Sequence, residues 1–304
     1  MKYITGTLDF ELNNNSVITL GKFDGLHRGH MKLVNRVLEL GKSGLETVVF
    51  AFDMSQNGQA KDDNFRMLLT NEEKKDLVEA TGVDALVECP FVPAIMNMEP
   101  EVFIEKVLVT QLKAKHVIVG TDFRFGHKRK GDPQMLADLS ERYNFKVEVL
   151  EKVYDKDREI SSTYIREEIE KGHIEKANEL LGYPYFITGE VISGRHLGST
   201  IGIPTINQAP LMIKLLPPFG VYTSKTKIGK ATYQGVTNIG TKPTVRGIAV
   251  GIETNLFDCD RDLYDMMAKV ELYHFQRLEQ RFESIEELKE QLEKDVSNAR
   301  QYWQ

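Results

Sequence analysis

Short apolar runs rich in branched residues recur along the first 182 residues: VITL (17–20), TVVFAF (47–52), ALVE (85–88), HVIVG (116–120) and KVEVL (146–150). Helix-like segments alternate with them, and that alternation predicts a parallel sheet covered by helices on both faces. The helices carry their own punctuation. LTNEEKKDLVEATG offers Thr70 as N-cap with Glu73 three residues on, a capping box, and Gly82 as the stop. EPEVFIEKVLVTQL (99–112) and PQMLADLSERY (133–143) read as crossover helices, and STYIREEIEKGHIEKANELLG (162–182) as two short helices broken near Gly172.

Beyond YPYFITGEV the pattern changes. From 186 to about 275 the runs FITGEVI, GVYTSKTKI, TYQGVTNIG, IAVGIETNLF and AKVELYHF are strand-like, joined by Gly, Pro and Asp turns with no helical segment among them. They predict an antiparallel barrel. The tail SIEELKEQLEKDVSNARQYW has Ser284 and Glu287 as a second capping box, then Ile285, Leu288, Leu292, Val296, Ala299 and Trp303 at helical steps, an amphipathic helix packing back on the barrel. Two domains result, 1–182 and 183–304, with 55–64 (SQNGQAKDDN) expected to form a mobile loop.

Composition narrows the partners. The 304 residues suit two cores, and a formal charge of −6 (39 Lys and Arg against 45 Asp and Glu) gives no overall attraction to nucleic acid or acidic lipid. Cys89 and Cys259 are the only cysteines, far apart and without metal-ligand spacing, which fits a reducing compartment. The opening residues lack a long apolar core and no uninterrupted apolar run reaches eighteen, so a cytosolic protein without a membrane or nucleic-acid partner is expected, a monomer or weak oligomer.

The chemistry concentrates in three stretches of the first half. After VITL the turn GKFDGLHRG carries three glycines, which let backbone N–H groups approach a ligand. A helix starting near His27 places His30 at i+3 on the same face, both beside the positive end of the helix dipole at the carboxyl end of a strand, where phosphate is favoured. In EISSTYIREEI (159–169), Ser161, Ser162 and Thr163 offer hydroxyls at a helix start and Arg166 a planar cation for phosphate oxygens. VIVGTDFRFGHKRKGD (117–132) follows the fourth of these strands, with Asp122 placed to bond a base or ribose edge and Phe123 and Phe125 offering faces for stacking.

The second half has its own cluster. HLGSTIGIPTINQAP (196–210) combines Gly198 and Gly202 for close backbone approach, Pro204 to fix the chain, and Thr205 and Asn207 as small oxygen ligands of the kind Mg²⁺ takes.

These motifs carry a resemblance. The first stretch resembles the H-x-G-H signature of nucleotidyltransferases, in the longer form G-x-F-D-G-x-H-x-G-H of prokaryotic flavin adenylyltransferases. The other two stretches of the first half resemble that family's remaining signatures. G-x-P-T-x-N, then GVTNIGTKPT (235–244), then GIETNLFDCDRDLYD with R-L-E-Q-R-F (277–282) resemble riboflavin kinase. Together they resemble the bacterial bifunctional riboflavin kinase/FAD synthetase family. The resemblance implies a Rossmann-like nucleotidyltransferase domain, then a six-stranded type of barrel with a C-terminal helix. It implies that His27, His30 and Arg166 serve adenylyl transfer, with Gly21, Phe23, Asp24, Gly29, Asp122, Phe123, Ser161, Ser162 and Thr163 at ATP. In the barrel it implies Glu253 as the base for the ribityl alcohol, Thr205 and Asn207 at Mg²⁺, Gly198, Gly202 and Pro204 at ATP, and Arg277 and Glu279 shaping a mobile flap over the flavin.

Riboflavin, FMN and ATP are then the small-molecule partners, with FMN and FAD as products. Four departures from the family pattern stand out. FAFDMSQNG (50–58) lacks the usual prolines, Ser199 stands where Arg is common, Asn255 where His is, and Asp265 where Gly is, the last suggesting an altered turn. Two rival readings follow: a riboflavin kinase with a weak or silent adenylyltransferase domain, and a non-catalytic flavin- or RNA-binding regulator.

Overall fold

A computed structural model describes residues 1–55, 66–194, 202–244 and 247–304, and the chain divides by contact into two compact units, Met1–Ser162 and Thr163–Gln304. The loop expected at 55–64 lies, apart from Ser55, outside the described residues, as do Gly198 and Ser199.

In the first unit, the chain runs β1 (Lys2–Thr5), β2 (Ser16–Gly21), α1 (Arg28–Gly41), β3 (Glu46–Asp53), α2 (Asn71–Thr81) and β4 (Ala85–Pro90). It continues through α3 (Pro93–Met96), α4 (Pro100–Phe103), β5 (Ala114–Gly120), α5 (Pro133–Tyr143), β6 (Lys146–Leu150) and a small hairpin, β7 (Tyr154–Asp155) with β8 (Arg158–Glu159). The main sheet is parallel in the order β1-β4-β3-β2-β5-β6, so the chain reverses its direction of travel between β2 and β5. All five expected strands are present. β1 is an addition, since four residues at the chain start carry no periodic signal of their own. The capping box on α2 forms as read, Thr70 and Glu73 exchanging bonds, with Gly82 left-handed at the end. The segment expected as one helix at 99–112 is α4 running into a π-helical stretch, Ile104–Gln111.

The second unit begins with α6 (Ser162–Glu170, its first residue in the first unit) and α7 (Ile174–Leu181). Both helices count with the barrel, ahead of the texture change at 182/183. Asn178 of α7 donates to the Leu272 carbonyl and accepts from the Tyr185 amide, which ties α7 to the barrel. Strands β9 (Phe186–Glu190), β10 (Ile206–Gln208), β11 (Gly220–Ile228), β12 (Ala231–Thr244), β13 (Gly247–Leu256) and β14 (Met267–Leu278) pair antiparallel in the order β10-β13-β12-β11-β14-β9. A bridge from Ile192, just past β9, to Asn207 of β10 nearly closes the barrel.

Helix α8 (Ile285–Tyr302) follows the barrel. Ala299 and Val296 pack on Val221, Val236 and Phe257 as expected, whereas Ile285 is exposed at the helix start. The second capping box forms by half: Ser284 accepts the Glu287 amide, and the Glu287 carboxylate takes the Glu283 amide instead of that of Ser284. Among the described residues no helix is long and apolar enough to cross a membrane.

Candidate active sites

In an open parallel sheet, loops leaving neighbouring strands in opposite directions part and leave a crevice at the strand ends. Here those strands are β2 and β5. Beyond them lies a cavity of about 450 Å³ whose lining includes Gly21, His30, Asp122 and Phe123 together with Phe52, Phe91 and Phe103.

The turn after β2 is held in a costly conformation. Phe23 (φ 48°) and Leu26 (φ 34°) adopt left-handed backbone, which disfavours residues with a Cβ. Burial holds it, both side chains being almost fully enclosed. The result sets His27 at the N-cap of α1 and His30 in its first turn, rings stacked with centroids 3.7 Å apart. Gly29 leaves room for this stack: a Cβ there would sit 3.1 Å from the His27 ring.

Both rings are held neutral at physiological pH. Burial pulls His27 down to about 4, and burial, then the charges of His27 and Lys74, hold His30 well below its ordinary value. Each Nδ1 is sealed without a partner. A buried orphan acceptor costs less than a buried orphan N–H, so the proton belongs on Nε2, and each neutral ring retains one N–H to donate.

Several expected ligands take other positions. Phe23 lies under His30, ring centroids 5.1 Å apart, and is enclosed rather than presented to the cavity. Asp24 is also buried; its Oδ1 accepts the amides of Leu68 (2.9 Å) and Leu69 (3.2 Å), and its carbonyl accepts the Ser162 hydroxyl at 2.7 Å. Phe23, Asp24 and Ser162 therefore shape the turn. Ser161 immediately precedes α6, while Thr163 and Arg166 lie on that helix in the second unit, Thr163 exposed and Arg166 half-buried. Phe125 packs into the core against Phe103, leaving Phe123 as the half-buried ring over it. Asp122 is exposed and paired with Lys152 at 3.1 Å.

Sequence reading passed over Lys22, Arg124 and Arg129, which also line the cavity; HKRKG reads equally well as a solvated basic turn. It also passed over a buried pair, Lys74 Nζ to Glu88 Oε1 at 2.7 Å with neither side chain exposed, to which Tyr3 of β1 adds its hydroxyl.

In the second unit a cavity of about 240 Å³ lies between the outer wall of the barrel and α8. Strand alternation builds its polar side. Register sets Glu253 of β13 opposite both Asn207 of β10 and Asn238 of β12, and Thr205, Asn238, Glu253 and Asn255 all line the cavity. One residue on, Thr254 and Thr237 turn to the other face and join Ser224 in a buried hydroxyl ladder. Leu288 and Leu292 of α8 supply the apolar side. Asn238 was quoted in its motif but not singled out; only the register reveals it as Glu253's neighbour.

Other expected residues fall as follows. Asn207 is buried, its amide nitrogen so close to Gly194 that a Cβ there would lie 2.3 Å away. Asn255 donates to the Pro204 carbonyl at 2.7 Å, tying the P-T-x-N segment to β13. Gly202 is exposed and left-handed (φ 84°). Arg277 and Glu279 line the cavity, and Arg277 is paired with the buried carboxylate of Asp295 on α8. Glu279 approaches Gly240 so closely that a Cβ there would lie 2.2 Å from its carboxylate. Asp265 corrects the altered-turn expectation, for it adopts φ 62° and so takes the left-handed backbone that suits Gly. Thr205 and Pro204 also border a second cavity of about 280 Å³, lined in part by Cys259, Asp262 and Tyr264.

Among the described residues no group of three or more His, Cys, Asp or Glu side chains is gathered to hold a metal. The oxygens of Thr205 and Asn207 suit a hard cation that brings phosphate and water as its remaining ligands.

Comparison with known proteins finds two families in succession along the chain. Residues 9–164 match the FAD synthetase family and residues 181–303 the riboflavin kinase family. A bifunctional riboflavin kinase/FMN adenylyltransferase of Bacillus subtilis (strain 168) is 36% identical over 299 residues, covering 95% of this chain and 92% of its own. The protein of that name from Escherichia coli (strain K12) is 36% identical, covering 100% of this chain and 98% of its own. A crystal structure of a Streptococcus pneumoniae protein called a macrolide-efflux protein superposes with a TM-score of 0.86 at 28% identity, over 98% of each chain.

Proposed function

The chain belongs to the bifunctional riboflavin kinase/FMN adenylyltransferase family, and from that premise we propose how its residues divide the work. It is an enzyme that phosphorylates riboflavin to FMN with ATP and adenylylates FMN to FAD with release of pyrophosphate. We assign adenylyl transfer to residues 1–182 and the kinase to 183–304.

The observation that carries this division is a contrast in protonation chemistry. An FMN phosphate is already anionic and needs no base, only donors and cations for the charge that moves onto departing pyrophosphate. His27 and His30 provide the donors through Nε2–H, and Arg166 keeps the phosphate-binding role that the family resemblance implies for it. Gly21, Gly29, Asp122 and Phe123 shape the ATP cavity.

A ribityl alcohol, by contrast, is a poor nucleophile and requires a base. Glu253 takes its proton, with Asn207 and Asn238 on either side in register. The flavin occupies the cavity with the apolar α8 side, and ATP the one across Thr205, where Gly202, Pro204 and Thr205 line its approach. Thr205 and Asn207 hold Mg²⁺, which neutralises phosphate charge when bound. The unpaired thiols of Cys89 and Cys259 support a reducing, cytosolic setting.

Incubation with riboflavin, ATP and Mg²⁺, followed by separation of the flavins, tests both halves. FAD is expected; FMN alone supports the kinase-only reading, and neither product supports the regulator. Glu253→Gln is expected to lower FMN formation by about 10² to 10⁴ while supplied FMN is still converted to FAD.

A further inference from the structure

We propose that the cationic turn at 127–129 recognises the phosphate of the flavin in the adenylyltransferase cavity, with Arg129 as the residue in contact. The inference rests on the function proposed above and adds the source of its preference for a phosphorylated flavin.

Arg129 borders the cavity and has no ion pair among the described residues, whereas His127, Lys130 and Lys152 are engaged. His127 and Lys130 share Glu99 at 3.1 and 3.6 Å, and Lys152 holds Asp122 at 3.1 Å. The turn itself is strained, with Lys128 (φ 53°) and Arg129 (φ 59°) both left-handed in succession. Such backbone persists only where the surroundings over-determine it.

They do so here. The His127 amide donates to the Met98 carbonyl at 2.7 Å, Phe125 and Gly131 pair across the base of the turn, and a Cβ on Gly126 would meet Pro100 at 2.7 Å. A braced, strained turn thus holds an uncommitted guanidinium at the edge of an aromatic cavity.

The chemistry of the substrates identifies what it binds. An isoalloxazine is neutral and is accommodated by ring faces such as those of Phe52 and Phe91. FMN differs from riboflavin only by its phosphate, and that anion must approach the triphosphate of ATP. The neutral histidines donate hydrogen bonds but offset none of the repulsion. A guanidinium does both, through paired N–H donors.

The test uses the full chain and reads the KM for FMN, the KM for ATP and competitive inhibition of adenylyl transfer by lumiflavin, an isoalloxazine without the ribityl chain. Arg129→Gln is expected to raise the KM for FMN roughly tenfold to a hundredfold. The lumiflavin constant, the KM for ATP and riboflavin phosphorylation should stay unchanged, the last reporting that the chain is folded, and Arg129→Lys should recover part of the loss. An unchanged KM for FMN overturns the inference. So does a parallel rise for FMN and lumiflavin, which makes the guanidinium a partner of the ring. If the unaltered protein makes no FAD, the underlying reading fails and this inference with it; if it does, the variants judge the inference alone.

Discussion

Asp295 of α8 grips Arg277 of β14 at two points, Nη2 to Oδ2 at 2.6 Å and Nε to Oδ1 at 3.0 Å, with the carboxylate almost fully buried. Gln291 adds a third bond to the same carboxylate at 2.9 Å. This clamp fastens α8 to the barrel beside the proposed flavin cavity. Removing one partner of a buried pair leaves the other charge uncompensated, so Asp295→Ala should cost about 3–5 kcal/mol in the second unit, measured by urea unfolding. The KM for riboflavin should rise, while conversion of supplied FMN should not change.

The histidine pair makes the first unit acid-sensitive. His27 falls to about 4 in the folded chain from an ordinary value near 6.5, so the unfolded chain takes up its proton first. Its contribution is complete above about pH 6.5 and declines as pH falls towards 4, reaching a loss of about 3 kcal/mol once the folded ring is also protonated. Urea midpoints measured from pH 7 to 4.5 should fall in the wild type, and the slope should flatten in His27→Asn.

Gly29→Ala separates activity from stability. A methyl group 3.1 Å from the His27 ring disturbs the stacked pair, and adenylyl transfer should fall about tenfold to a hundredfold. Alanine is a better helix former than glycine in α1, which offsets part of this crowding, so thermal unfolding should shift much less than activity does.

Asp265 occupies left-handed backbone at φ 62°, and its amide donates to the Val191 carbonyl, a bond that any residue except proline can make. Asp265→Gly removes the Cβ strain and keeps that bond. It should raise stability by about 0.5–1 kcal/mol, read as a higher melting temperature with FMN formation unchanged.

Local chemistry made much of the protein readable. The buried strand runs, the Thr70–Glu73 capping box, the Gly82 stop and the His27–His30 spacing each express themselves within a few residues, where propensity and hydrogen bonding act on neighbours. The motifs brought Thr205 and Glu253 to notice for the same reason, and the structure sets both on the lining of one cavity. β1 escaped because four residues become a strand only when a sheet edge is there to pair with them.

By itself, then, the sequence determined the two fold classes and their order, and it marked the segments from which the proposed sites are drawn. Only the tertiary structure decided that Asp24 turns inward to the Leu68 and Leu69 amides, that Asn238 stands beside Glu253, that Arg277 is clamped by Asp295 and that Arg129 reaches an aromatic cavity. Each of these depends on register or topology joining residues well separated along the chain. Such joining is set by the packing of the folded unit as a whole, and no short window of sequence contains it.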